Sequence, residues 1–145
     1  MKKLLKIVLV LAVIGAIAAF LVWKFYVNKP HEDIEKAIPA YSLTTAEIWN
    51  QYTTDQKLSD SLYNNKVIEL TGTLNRIETR DSSVSVIFVM AADSMFGDKT
   101  ISCQMYQKHN GEAAALTAGT TLKIKGFCTG YNETDIKFNK CSIVK

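Results

Sequence analysis

Apolar and polar positions alternate with period two through residues 65–77. Ile68, Leu70, Gly72 and Leu74 fall on one side of an extended chain, and Val67, Glu69, Thr71 and Thr73 on the other. A single apolar face at that period predicts a half-buried strand. Gly72 interrupts the apolar face in mid-strand, which predicts a bulge or sharp bend. The stretch reads as a long first strand that bends to serve both halves of a small barrel.

Four further strands follow. Residues 84–90 are rich in β-branched side chains, with Val84, Val86, Phe88 and Met90 on one face. Ile87 and Val89 make the other face apolar too, so both sides of this strand call for cover. Residues 99–107 put Ile101, Cys103 and Met105 inward, and residues 121–128 put Leu122, Ile124 and Cys128 inward. The last strand covers residues 135–144. Its phase slips between Phe138 and Cys141, which predicts a bulge near Asn139 and Lys140. Between these strands lie a polar turn at 79–83, a loop at 91–98, one helical turn at 112–116 stopped by Gly119, and a turn at 130–134. Ahead of the strands, Thr44 and Glu47 are spaced as a capping box, with Ile48, Trp49 and Tyr52 at helical spacing behind it. A second capping signal at 53–56 precedes Leu58, Leu62 and Tyr63, so one broken helix or two short ones should cover about 45–63.

The order is helix, three strands, short helix, two strands. It predicts an all-β barrel with short helices, the five-stranded Greek-key OB-fold, within residues 44–145. Closing the sheet removes edges that five strands would otherwise expose.

An unbroken apolar run occupies residues 7–23, and counting on to Val27 extends it to the length of a transmembrane helix, 7–27. Trp23, Phe25 and Tyr26 cluster at its end as an aromatic belt would. Lys2, Lys3 and Lys6 precede it, which orients the basic residues 1–6 to the cytoplasm and the barrel outside it, on the periplasmic side. Ala16-Ile17-Ala18 has the form of a signal-peptide cleavage site. Cleavage there would leave an exposed apolar start, which favours an uncleaved single-pass anchor. No cysteine stands near the end of the run to carry a lipid. Residues 28–43, with Pro30 and Pro39, read as a linker.

Charge then narrows the partners. The net charge of +3 comes from the N-terminus: four of the seventeen basic residues are Lys2, Lys3, Lys6 and Lys24. From Asn28 onward thirteen basic residues face all fourteen acidic ones, and a near-neutral domain lacks the basic footprint of a nucleic-acid binder.

Ala46-Glu47-Ile48, the spacing of Tyr52 to Asp55, and Tyr63-x-x-Lys66-Val67-Ile68-Glu69-Leu70-Thr71-Gly72-Thr73 carry a family resemblance. So do Gly119-Thr-Thr-Leu-Lys-Ile-Lys-Gly126-x-Cys128-x-Gly130, the closing Cys141-x-Ile143, and Asn28-Lys29-Pro30-His31 after the apolar run. These stretches resemble the tRNA-anti-like OB-fold family of bacterial, membrane-anchored or lipoprotein-like proteins. The resemblance implies kinship with anticodon-binding OB domains and a place in the cell envelope. It carries over no activity and no site residues, and this chain departs from the pattern by its bare apolar anchor.

Candidate chemistry is sparse. Cys103 and His109 are near in sequence, but nucleophile pairs are set by the fold, and a strand cysteine with a loop histidine is the simpler reading. His31-Glu32-Asp33 are adjacent and do not converge on a metal, and no Cys or His spacing marks a zinc site. The glycines of 126–130 lack the Lys-Ser/Thr that opens a phosphate loop. No carboxylate pair marks acid/base catalysis. Neither metal, cofactor nor enzymatic activity is therefore expected. Cys103, Cys128 and Cys141 all take inward phases, and their odd count permits either three buried thiols or one disulfide and a free thiol; a disulfide between Cys141 and either Cys103 or Cys128 is expected in an oxidising compartment. Tyr106, Phe127 and Tyr131 lie where OB-folds hold ligands. Ile87 and Val89 call for cover by the helix around 48–63 or by another molecule, and the second and third strands, with Tyr106 beside them, are expected to carry the partner surface. The expected role is non-enzymatic binding of an envelope protein, peptide or glycan. A nucleic-acid-binding OB module is the alternative.

Overall fold

The computed structural model describes residues 2–24 and 33–145. They divide into two compact units, 1–32 and 33–145. In the first, helix α1 spans Lys2–Val22. Its described apolar side chains are exposed all round. From Ile7 to Val22 it runs sixteen residues, roughly 24 Å against the ~30 Å of a hydrocarbon core. Among the described residues no helix is long and apolar enough to cross a membrane. The transmembrane helix expected over 7–27 is therefore not shown by α1. Its last residues, 25–27, and residues 28–32 of the expected linker lie outside the described residues.

The second unit opens with a turn at 33–37 and strand β1 (Tyr41–Thr44). Helices α2 (Thr45–Thr54) and α3 (Gln56–Tyr63) follow. The capping box forms as its spacing requires: Thr44 Oγ1 accepts from the Glu47 N–H at 3.2 Å, and the Thr44 N–H donates to Glu47 Oε2 at 2.7 Å. Asp55 breaks the helix in two, because it ends α2 in extended backbone and caps α3 by accepting from the Leu58 N–H. Strands β2 (Val67–Thr73), β3 (Arg76–Arg80), β4 (Ser83–Ala91) and β5 (Lys99–Met105) come next. A 3₁₀ turn (Gln107–His109) leads into α4 (Asn110–Ala114), and β6 (Thr121–Tyr131) and β7 (Asp135–Val144) complete the chain.

The sheet order is β1-β2-β6-β7-β5-β4-β3, with β5 and β7 parallel. Strands β2 and β3 are the two halves of one bent strand. Leu74 N–H donates to Thr120 O on the β6 side, and Asn75 N–H donates to Ile87 O on the β4 side. The chain thus changes partner between two consecutive residues, and the sheet closes on itself. This is the expected long first strand. The bend lies at Leu74–Asn75, however, and not at Gly72, which stays paired with Leu122 inside β2. Glycine is needed at 72 for space: a Cβ there would come 2.5 Å from Thr45 Cγ2 and 2.8 Å from its Oγ1.

The strand phases place the core as expected. Ile68, Leu70, Leu74, Val86, Phe88, Ile101, Cys103, Ile124 and Phe138 are all buried together. The bulge also falls where the phase slip put it. Cys103 pairs with Phe138 and Met105 with Cys141, so Asn139 and Lys140 face the single residue Gln104. Several boundaries differ. β1 adds a parallel edge strand where a linker was expected, fixed by Ala40 N–H donating to Val67 O. The bent first strand continues to Arg80, leaving only Asp81 and Ser82 as the turn. α4 starts earlier than residue 112, because the chain enters the 3₁₀ turn directly after β5. β6 runs on to Tyr131, since Gly130, at φ +113°, sits at an irregularity within the ladder rather than opening the turn.

The three cysteines are free and buried, so the expected disulfide of Cys141 with Cys103 or Cys128 is not formed. All three pack into the apolar barrel interior, where burial pushes the Cys141 thiol well above its ordinary value and holds it protonated. Three thiols per chain should react with a thiol reagent after denaturation without reductant, and fewer than one before it. Finding a single thiol would restore the disulfide.

Candidate ligand groove on the outer barrel face

Period-two alternation that turns one face of β4 and β5 into the barrel turns the other outward. The outward positions are Ser83, Ser85 and Ile87 on β4 and Thr100, Ser102 and Gln104 on β5. Pairing extends the rows across four strands. Glu78, Ser85 and Gln104 form one row, and Arg76, Ile87, Ser102 and Lys137 the next. Together with Arg80, Asp81, Asp98 and Asp135 they line a groove of about 580 Å³. One wall is fixed by ion pairs: Arg76 reaches Glu78 at 3.0 Å and Asp98 at 2.8 Å, and both carboxylates raise the guanidinium above its ordinary value. On the opposite side Thr100 Oγ1 donates to Asp135 Oδ1 at 2.6 Å. Three basic and four acidic side chains share the groove, with hydroxyls and one amide between them, and no aromatic ring lines it.

The expected site residues scatter. Ile87 lies in the groove but is only 3% exposed, set between Arg76 and Ser102 on the flanking strands. It is the floor of a polar groove, so the open apolar patch expected around Ile87 and Val89 is absent. Val89 is half-buried, its N–H donating to Asn75 Oδ1 at 2.8 Å. Tyr106 is exposed and lines a second hollow, which meets the groove through Ser83 and Gln104. The Lys108 ammonium lies 5.4 Å from its ring centre. Phe127 is half-buried on β6, opposite Val67 and Asn139. Tyr131 packs edge-on against Trp49 with ring centres 5.7 Å apart, and its hydroxyl donates to Glu133 O. It joins helix to barrel and does not face the groove. The groove carried one usable signal in sequence, the hydroxyl-rich outward phase of β4 and β5 (Ser83, Ser85, Thr100 and Ser102), whereas Arg76, Glu78, Asp98 and Lys137 come from other elements and carried none.

Cys103 and His109 do not meet. Cys103 is inside the barrel, whereas His109 contacts Glu35 through Nε2 and approaches Glu112 through Nδ1 at 3.4 Å. Among the described residues no group of three His, Cys, Asp or Glu is placed to hold a metal. The histidine belongs to a clasp. Lys108 donates to Glu35 at 2.7 Å, and Lys125 donates to the carbonyls of Glu35 and Ala37 at 3.0 and 2.9 Å. Glu35 is thereby held below its ordinary 4.5, chiefly by Lys108 and then by His109. Glu112 is lowered chiefly by Lys145. Groups lowered by folding stabilise fully above their unfolded value, and that contribution is lost as pH falls through the lowered values. Protection of the Lys36 and Ala37 amides, which donate to Asp33 O, should therefore fall as pH drops below 4.5. Unchanged protection in acid would show that the clasp does not hold this segment.

The bent first strand, the parallel closure of β5 on β7 and the helix between the third and fourth barrel strands define a protein of the OB-fold class. The chain belongs to the tRNA_anti-like family, whose model matches residues 1–143. Among solved structures it is similar to a protein of Klebsiella pneumoniae subsp. pneumoniae MGH 78578 described as a "putative nucleic acid-binding lipoprotein". That likeness has 20% identity and a TM-score of 0.54, over 81% of this chain and 100% of that one. A protein of Leishmania major Friedlin described as a "putative aspartyl-tRNA synthetase" is also similar, at 6% identity and a TM-score of 0.47, over 74% of this chain and 21% of that one. The third is the yeast Stn1 and Ten1 structure, at 16% identity and a TM-score of 0.43, over 73% of this chain and 63% of that one. No curated protein matches the chain.

Proposed function

We propose that the protein is a non-enzymatic binding module of the bacterial cell envelope whose outer groove takes a neutral glycan. The composition of the groove carries this reading. Hydroxyls, one amide and charges of both signs line it, and these match the paired donors and acceptors of sugar hydroxyls without favouring either net charge. Its volume falls within the roughly 300–1,000 Å³ of small-ligand sites. Attachment to the membrane fits α1, which opens with Lys2, Lys3 and Lys6 and is apolar on every side from Ile7 onward.

The second reading is nucleic-acid binding, which the description of the Klebsiella protein favours. A polyanion gains most of its affinity from unpaired cations and stacked rings. Here Arg76 is already bound to two carboxylates, acidic groups outnumber basic ones in the groove, and no ring lines it. Titration of isotope-labelled full chain in micelles would decide. With N-acetylglucosamine oligomers, amide shifts should concentrate at Ser85, Ser102, Gln104 and Lys137. Saturable binding of an oligothymidylate at physiological salt, with no response to the sugar, would replace the first reading by the second.

A further inference from the structure

The second hollow differs in chemistry from the groove it adjoins. It measures about 370 Å³, within the roughly 300–1,000 Å³ of small-ligand sites. Among the described residues no carboxylate lines it, and its one charged lining residue is Lys140. Four carboxamides line it instead, those of Gln104, Gln107, Asn110 and Asn139. Tyr106 adds a ring that is 44% exposed, and Met105, nearly buried, adds apolar surface.

The fold builds the hollow at the bulge in β7. Asn139 and Lys140 both face Gln104, so the strand supplies two side chains where regular pairing would supply one. Lys140 adopts a left-handed φ of +53° there. The opposite wall is tied down: Asn110 Nδ2 donates to Ser82 O at 2.6 Å, which joins α4 to the turn between β3 and β4. Tyr106 is held through its backbone and its ring. Its N–H donates to Cys141 O at 2.8 Å, and the Lys108 ammonium over the ring is itself held by Glu35 at 2.7 Å. A ring fixed in this way loses little freedom when a ligand stacks on it.

These groups select by chemistry. A carboxamide offers an N–H donor and a C=O acceptor side by side, and another amide is its complement. The electron-rich face of an aromatic ring attracts the weakly positive C–H bonds on the flat side of a sugar. Met105 suits a methyl group. An N-acetylated sugar carries all three features, whereas a sugar bearing hydroxyls alone lacks the amide and the methyl. The hollow is also continuous with the groove, since Ser83 and Gln104 line both. Ser102 and Gln104 in the groove and Tyr106 in the hollow follow one another along extended chain, spanning roughly 13 Å at ~3.3 Å per residue. One sugar ring does not reach that far. A nucleobase stacked on Tyr106 would instead bring phosphates to a groove in which acidic groups outnumber basic ones.

We infer that the hollow is a second subsite of the groove, in which one N-acetylated unit of the bound glycan stacks on Tyr106 and pairs its acetamido group with the surrounding carboxamides. The inference rests on the glycan reading of the groove, and it adds that the ligand is an oligomer with an acetamido group at its Tyr106 end.

The test uses chitotetraose and cellotetraose, which share one linkage and differ in carrying an acetamido group or a hydroxyl beside the anomeric carbon. Each is titrated into isotope-labelled full chain in micelles. Chitotetraose should bind about tenfold or more tightly than cellotetraose. It should shift the side-chain amides of Gln107 and Asn110 together with the backbone amides of Ser85 and Ser102. Tyr106→Ala should bring chitotetraose down to the level of cellotetraose, and Tyr106→Phe, which keeps the ring, should retain the preference. Amide shifts far from both sites check that each variant folds. Shifts at Ser85 and Ser102 without those of the hollow, or a preference that Tyr106→Ala leaves in place, overturn the inference while the groove reading stands. No response of the groove amides to either tetramer overturns the groove reading and the inference with it. Saturable stacking of an oligothymidylate on Tyr106, with no response to either sugar, assigns the hollow to nucleic acid and overturns both.

Discussion

Replacing Tyr52 with alanine should destabilise the barrel unit by about 3–5 kcal/mol, the range for large aromatic side chains removed from a core. Tyr52 comes from α2, yet it is buried among barrel residues. Its ring centre lies 6.0 Å from that of Tyr63 and 5.6 Å from that of Tyr131, so it ties both helices to the end of β6. Its hydroxyl lies 3.5 Å from Cys128 Sγ. Burial pushes the phenol well above its ordinary value, and it stays neutral at any pH the fold survives. Truncation leaves a cavity that aromatic neighbours border and that a backbone fixed by β6 cannot collapse to fill. Tyr52→Phe removes only the hydroxyl and should cost about 1 kcal/mol. Denaturant unfolding of both variants separates the contributions. If phenylalanine costs as much as alanine, the hydroxyl and the thiol carry the stabilisation and the packing account fails.

Tyr52 also shows how far the chain could be read in advance. Its helical spacing behind a capping box located α2 and gave the helix an apolar face, because both signals are local. What that face would meet was not local. The ring of Tyr131 reaches it only because β6 runs past Gly130, and no period in the sequence shows that a positive-φ glycine continues a ladder instead of ending it. The same division holds across the barrel. Alternation in β2, β4, β5 and β6 gave the inward faces, and the phase slip in β7 gave its bulge.

The groove was poorly legible for a related reason. Exposed aromatic and apolar residues drew attention to Ile87, Val89, Tyr106, Phe127 and Tyr131. A strand position counted as outward in sequence still becomes buried when neighbours on both flanking strands border it, as Arg76 and Ser102 border Ile87. The groove is a property of four strands in register. Its cross-strand rows depend on the parallel pairing of β5 with β7, which joins Ser102 to Lys137 and Thr100 to Asp135 across a long stretch of intervening chain.

Gly72 is held as glycine by space and not by the bend that its place in mid-strand predicted. A side chain at 72 should destabilise the unit by about 1–3 kcal/mol, the cost of overpacking a filled site. The cause is not backbone strain, since Gly72 sits in regular pairing within β2. A Cβ there meets Thr45 Cγ2 at 2.5 Å, Thr45 Oγ1 at 2.8 Å and Phe88 Cδ1 at 3.2 Å. Thr45 is short, β-branched and buried at the first turn of α2, so it has no free end to swing away. The clash therefore presses α2 off the barrel, and Gly72→Val should cost more than Gly72→Ala. Thr45→Ala removes both of the closest atoms. In that background the penalty of Gly72→Ala should shrink markedly, with the two substitutions coupled as residues in contact are. Unfolding measurements on the four members of this cycle decide the point: a penalty that is the same with Thr45 present and in the Thr45→Ala background would return the role of Gly72 to the backbone bend.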